Sequence, residues 1–328
     1  MFMQQVDKNI FFDITQTFDY VPFTQSKGWW SMHSIKDENR FVFFVDSLKK
    51  PAIACMGHAK KTLWLKMLQI EGECLANKNN IDSKQIRDFY KAISQADFDM
   101  IEVNSSLPYN ALYEIGIREA GYLRPVGMFS SALSNWIDLQ TETQYNENWK
   151  RNLKKADKAN LELTTLEKPT NEQTYFYADF YNKFTNQKGF LHNITFDQMK
   201  GLLQSNDFSL ALVTDEVENI LAGIVYYHHH QHAGLFISAR NIDGKEDQGV
   251  TFFMYDQLFK YLKNNNYTTF DMEKLSPSTH SKQSVFLFKN GVKGKKVLYC
   301  GEFSHYKRWI YRPLMYFVKK YLFKRVEV

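Results

Sequence analysis

Cysteine is scarce: three residues in 328 (Cys55, Cys74 and Cys300), with no CxxC spacing. An odd count without that spacing excludes a disulfide framework and a zinc knuckle as organising devices. No apolar run approaches the roughly 18 residues that a membrane-spanning helix needs. The first residues lack a basic segment followed by an apolar stretch and a small-residue cleavage site, so no signal peptide is expected. A cytoplasmic protein is expected, in contact with a membrane only peripherally. No Pro/Ser linker divides the chain, and no heptad pattern is sustained anywhere. Charge of one sign does not dominate either: the formal net charge is +5, which fits an anionic partner without requiring one.

Aromatic residues are abundant, 16% of the chain with 27 Phe and 19 Tyr. Most belong in a core, and an excess can line a groove for a large ligand. The length suits two domains of ordinary size.

The organising stretch runs from Tyr267 to Lys295: a short strand, a polar loop, then a helix from about Ser284 that stops at Gly291. A fainter copy spans Ala96 to Leu123. Both carry Phe-Asp-Met (Phe98-Asp99-Met100 and Phe270-Asp271-Met272), then a Glu (Glu102, Glu273), then a helix ending on Gly (Gly121, Gly291). The repeat points to a duplicated unit.

Residues 1–40 read as irregular, with Gly28-Trp29-Trp30 as a turn into packing. Phe41 to Ser47, Pro51 to Lys60 and Trp64 to Glu73 read as an antiparallel meander. Ser83 to Ser94 has Ile86, Phe89, Tyr90 and Ile93 at helical spacing. The Phe-Asp-Met strand, a helix over 110–120 and a returning strand follow. From Trp149 the order repeats: a basic helix, a strand, two helices, a second meander (Phe208 to Asp215, Asn219 to Gln231, His232 to Asn241), a helix over 250–263, the second Phe-Asp-Met strand, the Lys289 helix, and a strand from Lys296 expected to close the second half. Each half is expected to hold a mixed antiparallel/parallel sheet flanked by helices, an α/β class. The expected domains are 1–145, 146–305 and a basic amphipathic C-terminal helix over 306–328.

Three stretches carry a resemblance to a family: WKRNLKKADK from Trp149 to Lys158, the strand-helix-strand run from Leu221 to Asp271, and Phe288-Lys289-Asn290-Gly291. Together with the repeated order, they resemble the FemABX aminoacyltransferases and related tandem GNAT N-acyltransferases. The resemblance implies two GNAT-like domains, with the active site in the second. It implies transfer of an acyl or aminoacyl group to an amine of a cell-envelope precursor: peptidoglycan, polysaccharide or amino sugar. No tightly bound cofactor is implied; acyl-CoA or aminoacyl-tRNA would be the co-substrate. Acyl-CoA comes first, because the coiled-coil arm that tRNA-dependent FemABX enzymes often carry is missing. Aminoacyl-tRNA is the runner-up, supported by the net positive charge and the basic helix. The segment Arg240 to Gly249 sits where a GNAT pyrophosphate loop would, but holds two acids and lacks the glycine spacing. A non-catalytic precursor-binding module is the alternative that this departure supports.

Lys289 would contribute positive charge to a phosphate or to the tetrahedral intermediate, if it follows the family; otherwise it is a lysine facing a helix C-terminus. Asp271 and Glu273, two apart, are expected on one strand side, where either could take the amine proton, or simply hold loop N–H groups. The groove for the acceptor is expected near Lys289, Glu273, Phe288, Arg240, Tyr226 and Tyr227. His228, His230 and His232 alternate and would share one strand face; a polar or pocket-lining patch is the expected role, ahead of one of them as acid/base and of a zinc site, with His228 toward substrate and no metal assigned. His280 is a further ionisable group in the loop. Arg151 and its neighbouring lysines would face an anion or solvent; Arg240 would hold a pyrophosphate or pair with Asp243 or Asp247. The segment from Tyr306 to Val326 mixes large apolar with basic residues and has no acid before Glu327. It suits a helix on an anionic membrane, or one packed on the first domain.

Overall fold

The computed structural model describes residues 3–62, 65–126, 133–190, 193–241, 249–275 and 284–322. The chain divides into two compact units: Met1–Ser26, Lys36–Ala132 and Leu298–Val328 form unit 1, and Lys27–Ile35 with Leu133–Val297 form unit 2.

The elements begin with β1 (Gln4–Val6), α1 (Lys8–Thr15) and α2 (Lys27–Ser34), followed by β2 (Phe41–Val45), β3 (Ile53–Thr62), β4 (Leu65–Ile70) and β5 (Cys74–Leu75). Then come α3 (Ser83–Ser94), β6 (Met100–Pro108), α4 (Ala111–Glu119), β7 (Leu133–Asp138), α5 (Glu147–Ala156) and β8 (Glu162–Leu166). The chain continues through α6 (Asn171–Lys188), α7 (Phe196–Leu203), β9 (Phe208–Thr214), β10 (Ile220–His229), β11 (His232–Arg240) and α8 (Val250–Asn264). It ends with β12 (Thr269–Asp271), α9 (Ser284–Asn290), β13 (Lys295–Tyr306) and α10 (Tyr311–Phe317).

The two sheets have the same plan. In unit 1 the order is β1-β2-β3-β4-β6-β13, antiparallel except for the parallel pair β4-β6. In unit 2 it is β8-β9-β10-β11-β12-β7, antiparallel except for β11-β12. The parallel step is bridged by a helix both times, α3 and α8, as a parallel connection requires. Each sheet buries its own core. Ile86, Phe89, Tyr90 and Ile93 of α3 lie with Leu68, Ile101 and Phe303 in unit 1. Tyr255, Leu258 and Phe259 of α8 lie with Ile137, Tyr226 and Phe270 in unit 2.

The closing strands cross over between the halves of the sequence. The strand after α4, β7, pairs with β12, not with β6. The strand after α9, β13, pairs with β6. The expectation that the strand from Lys296 closes the second half is therefore corrected: from Leu298 onward that segment belongs to unit 1. Alternation in β13 marks a strand but carries no record of its neighbour.

Residues 1–40 are also more regular than expected. Asp7 caps α1 by accepting the N–H groups of Asn9 and Ile10, the arrangement that a helix start demands. Gly28 lies inside α2, not at a turn. A Cβ there would stand 2.3 Å from Ser205 Oγ and 2.7 Å from Phe208, so glycine gives packing room. Helix α10 docks on unit 1 through Met315, which packs with Leu65 and Met100.

Candidate functional site

Strand β12 is three residues long, and its end sets the geometry of the site. Beyond Asp271, Met272 N–H still donates to Asn135 O of β7 (3.0 Å), and Leu275 N–H donates to Leu133 O (2.7 Å). Between them the backbone kinks. Glu273 adopts a left-handed φ of 58°, and its N–H donates to Asp271 Oδ1 (2.7 Å). An aspartate side chain closing a turn two residues on is a common way to hold such a bend. Ser134 Oγ also donates to Asp271 Oδ1, and Trp136 Nε1 donates to Oδ2 (2.9 Å).

Strand β12 therefore stops at Asp271, and Asp271 and Glu273 do not share a strand side. Asp271 is the turn-closing acid; Glu273 sits on the turn that it closes.

The turn exposes two carbonyls, those of Glu273 and Lys274. Lys289 of α9, only 8% exposed, donates from Nζ to both, at 3.2 and 3.1 Å. A buried carbonyl outside a ladder needs such a donor. Burial pulls the Lys289 ammonium below the usual lysine range, against the attraction of Glu273 and Asp271. Burial pushes the half-buried Glu273 carboxyl up to about 8, and the charge of Asp271 adds to this while Lys289 and Lys274 oppose it. In both groups the loss of water outweighs the partner's attraction.

Helix α9 is seated by two residues to which the sequence reading gives no role at the site. Asn135, fully buried, donates from Nδ2 to the carbonyls of Lys289 (2.9 Å) and Val292 (3.1 Å), and accepts from Lys296 Nζ (2.9 Å). Trp149, also fully buried, donates from Nε1 to Phe288 O (2.8 Å) and stacks between Tyr145 and Phe288, with centroids 4.9 and 4.8 Å away. Gly291 ends the helix where a Cβ would stand 2.4 Å from the Trp149 ring. A signal for Asn135 was present: strand alternation sets it on the face of Ile137 and Leu139, where an amide must have a polar task.

The other expected residues are placed as follows. Phe288 is a packing residue against Trp149, Phe252 and Tyr255. Tyr226 and Tyr227 are both buried, Tyr226 in the unit 2 core and Tyr227 against Phe208 (5.3 Å), so neither lines an open groove. Tyr227, Gly234, Asp271 and Trp136 form one cross-strand row. His228 is half-buried with Nε2 3.0 Å from Ser209 Oγ, and burial lowers its pKa. The three alternating histidines do not share a strand face: the chain reverses at His230 (φ 50°), and His232 begins β11 opposite His229. Among the described residues no cluster of His, Cys, Asp or Glu could hold a metal. Arg240 is half-buried at the end of β11; Asp243, Asp247 and His280 lie outside the described residues. Arg151 is exposed on α5 and donates to Asn148 Oδ1 (2.8 Å).

Unit 2 also holds a cavity of about 610 Å³ beside Tyr145 and Asp256, ringed by Lys150, Lys260, Lys263 and Lys293. Tyr145 donates to Asp256 Oδ1 (2.8 Å), and Lys260 pairs with the same carboxylate (2.7 Å). Glu142 also lines it and Lys150 pairs with Glu147 (2.8 Å), whereas Lys263 and Lys293 donate to the neutral oxygens of Thr141 (3.2 Å) and Gln144 (3.1 Å) and are the cations that suit a phosphate-bearing ligand.

No family model matches the sequence, and no curated protein does. Solved structures do match. FemX is 12% identical, with a TM-score of 0.76, covering 96% of this chain and all of that one. The C-terminal domain of a protein assigned as a lysylphosphatidylglycerol synthetase, from Agrobacterium fabrum, is 11% identical, with a TM-score of 0.54 over 82% of this chain and 86% of that one. A tandem GNAT protein from the clavulanic acid biosynthesis pathway is 7% identical, with a TM-score of 0.50 over 93% of this chain and 98% of that one. The repeated sheet plan and these matches together give the chain a FemX-like fold built of two GNAT-like units in tandem.

Proposed function

We propose that the chain is an acyltransferase that joins an aminoacyl or acyl group from an activated donor to an amine of a cell-envelope precursor. The observation that carries this reading is the convergence of Asp271, Glu273 and Lys289 at the end of β12, in a chain with the fold of FemX. Glu273 is the base. An acceptor amine must shed a proton to attack, and a carboxyl with a pKa near 8 is matched to an amine of about the same value. Asp271 and Lys289 are positioning residues: one closes the turn that presents Glu273, the other ties down its carbonyls. The oxyanion would be met by backbone N–H groups, which need no diagnostic side chain. The basic cavity and Arg240 offer cations for the phosphates of donor or acceptor.

The lysyl group in the name of one structural neighbour makes an aminoacyl ester the first donor to test, with acyl-CoA second. Labelled aminoacyl-tRNA and labelled acyl-CoA are each incubated with an amine-bearing nucleotide-linked peptidoglycan precursor. Label transfer from one donor is expected. Its rate should rise as pH passes through about 8, where Glu273 and the acceptor amine both lose a proton, and Glu273→Gln should lose most of the rate at every pH. Transfer at an undiminished rate in Glu273→Gln would remove Glu273 from the chemistry. No transfer from either donor by the folded protein would overturn the acyltransferase reading for these substrates.

A further inference from the structure

Helix α10 continues as a π-helical turn over Val318–Leu322, and this segment presents two different stripes. Tyr311 and Met315, four apart, face unit 1: both pack in the cluster with Leu65 and Met100, and Tyr311 Oη lies 3.4 Å from Asp99 Oδ1. Ile310, Leu314, Phe317 and Tyr321, spaced four, three and four, form the other stripe, and all four are exposed. Trp309 beside them is 83% exposed, the highest value among the large apolar side chains of the described residues. Phe317 and Tyr321 stack on one another (6.0 Å, 11°) in the open. One docked stripe holds the helix in place, so the bare stripe is not an undocked core face.

Such a row of large apolar side chains on one short helix is more than the scattered exposure normal for a soluble surface. Charge identifies what covers it. Arg308, exposed beside Trp309, and Lys320 accompany the stripe, and no acid occurs from Lys307 to Val326. Lys320 sits over the Tyr316 and Tyr321 rings at 5.7 and 5.5 Å. Apolar and aromatic side chains interleaved with unopposed cations complement an anionic lipid surface, where the rings enter the headgroup boundary and the cations meet phosphates.

We infer that Trp309, Ile310, Leu314, Phe317 and Tyr321 form a docking stripe for an anionic bilayer surface, with Arg308 and Lys320 supplying the electrostatic half of the contact. The stripe belongs to unit 1 and shares no residue with the Glu273 turn, so it stands independently of the proposed transfer reaction.

The test is flotation of the full chain with vesicles of phosphatidylcholine alone, and with vesicles containing about one-third phosphatidylglycerol, at low and high salt. The protein should float with the anionic vesicles only, and less so at high salt. The double variant Trp309→Ser/Phe317→Ser should lower the partition coefficient by at least about tenfold. Arg308→Gln/Lys320→Gln should lower it by about fivefold per residue neutralised. Trp309, Phe317 and Arg308 are exposed, and Lys320 lies over the Tyr316 and Tyr321 rings, so unfolding midpoints should stay put, which separates lost docking from lost folding. Equal flotation of the variants, or none with anionic vesicles, overturns the inference. So does a concentration-dependent dimer, seen by sedimentation velocity without lipid and abolished by Phe317→Ser, which would assign the stripe to a second copy of the chain.

Discussion

The two Phe-Asp-Met stretches begin alike and end differently. In unit 1 Asp99 precedes β6: its Oδ2 accepts the Lys66 N–H (2.9 Å), and the chain then runs nine residues as a strand between β4 and β13. In unit 2 Asp271 is the last residue of β12, and the chain turns away at Glu273. The continuing strand satisfies its own carbonyls through its neighbours. The interrupted one leaves two for Lys289 to satisfy. The position two before the helix-ending glycine is Lys289 in unit 2 and Glu119 in unit 1. Glu119 is exposed and only 3.7 Å from an Arg87 nitrogen. A shared fold thus becomes a candidate site where a strand is cut short and an ionisable group is buried to hold the cut end.

The sharpest way to break this comparison is Lys289→Met, which keeps the apolar stem and removes the ammonium. Turnover should fall by roughly 100-fold, because the Glu273 turn loses its anchor, and stability by about 1–3 kcal/mol from two stranded carbonyls. Glu119→Met in unit 1 should change neither by a measurable amount. Steady-state rates and urea melts on both variants decide it, and equal effects would dissolve the contrast.

A smaller effect is expected at Asn135, whose amide serves two carbonyls and one lysine. Asn135→Ala should cost about 2–3 kcal/mol in urea unfolding, with turnover falling in step as α9 loosens. A loss below about 0.5 kcal/mol would show that Trp149 alone seats the helix.

The smallest effect concerns the acid that unit 1 does bury. Glu73 is fully buried and accepts from Ser105 (2.6 Å), Tyr90 (2.9 Å) and Tyr113 (3.0 Å). Burial still raises its pKa above the ordinary value, and these three donors oppose the rise. The folded state therefore keeps a proton that the unfolded chain has released. This contribution to stability is complete below the ordinary glutamate value and is lost as pH rises through the raised one. Glu73→Gln should flatten that decline in a thermal-melt series over pH while leaving turnover unchanged. A decline of the same steepness would place its cause elsewhere.

Much of the sheet plan was legible because apolar spacing reports burial directly: Ile86, Phe89, Tyr90 and Ile93 could only be one helix face. The resemblance of Phe288-Lys289-Asn290-Gly291 pointed to the stretch that does converge with Glu273. Three things were hidden. The partners of β7 and β13 depend on contacts far along the chain, which no local pattern encodes. The short reach of β12 depends on a left-handed glutamate, and Glu is not a residue that announces such a turn. Tyr226 and Tyr227 fit a groove lining and a core equally well by sequence, because tyrosine suits both, and only the packing of Phe208 and α8 decides between them.

The reciprocal use of β7 and β13 has a consequence for how the molecule is made. The first sheet cannot be finished until a segment close to residue 306 has left the ribosome, long after its other strands are ready. Until then β6 waits with an open hydrogen-bonding edge, a template for pairing with other chains. A fragment that stops before β13 should aggregate where the whole chain does not. Neither half is an independent product of synthesis; each is completed by a piece of sequence that belongs, by order, to the other.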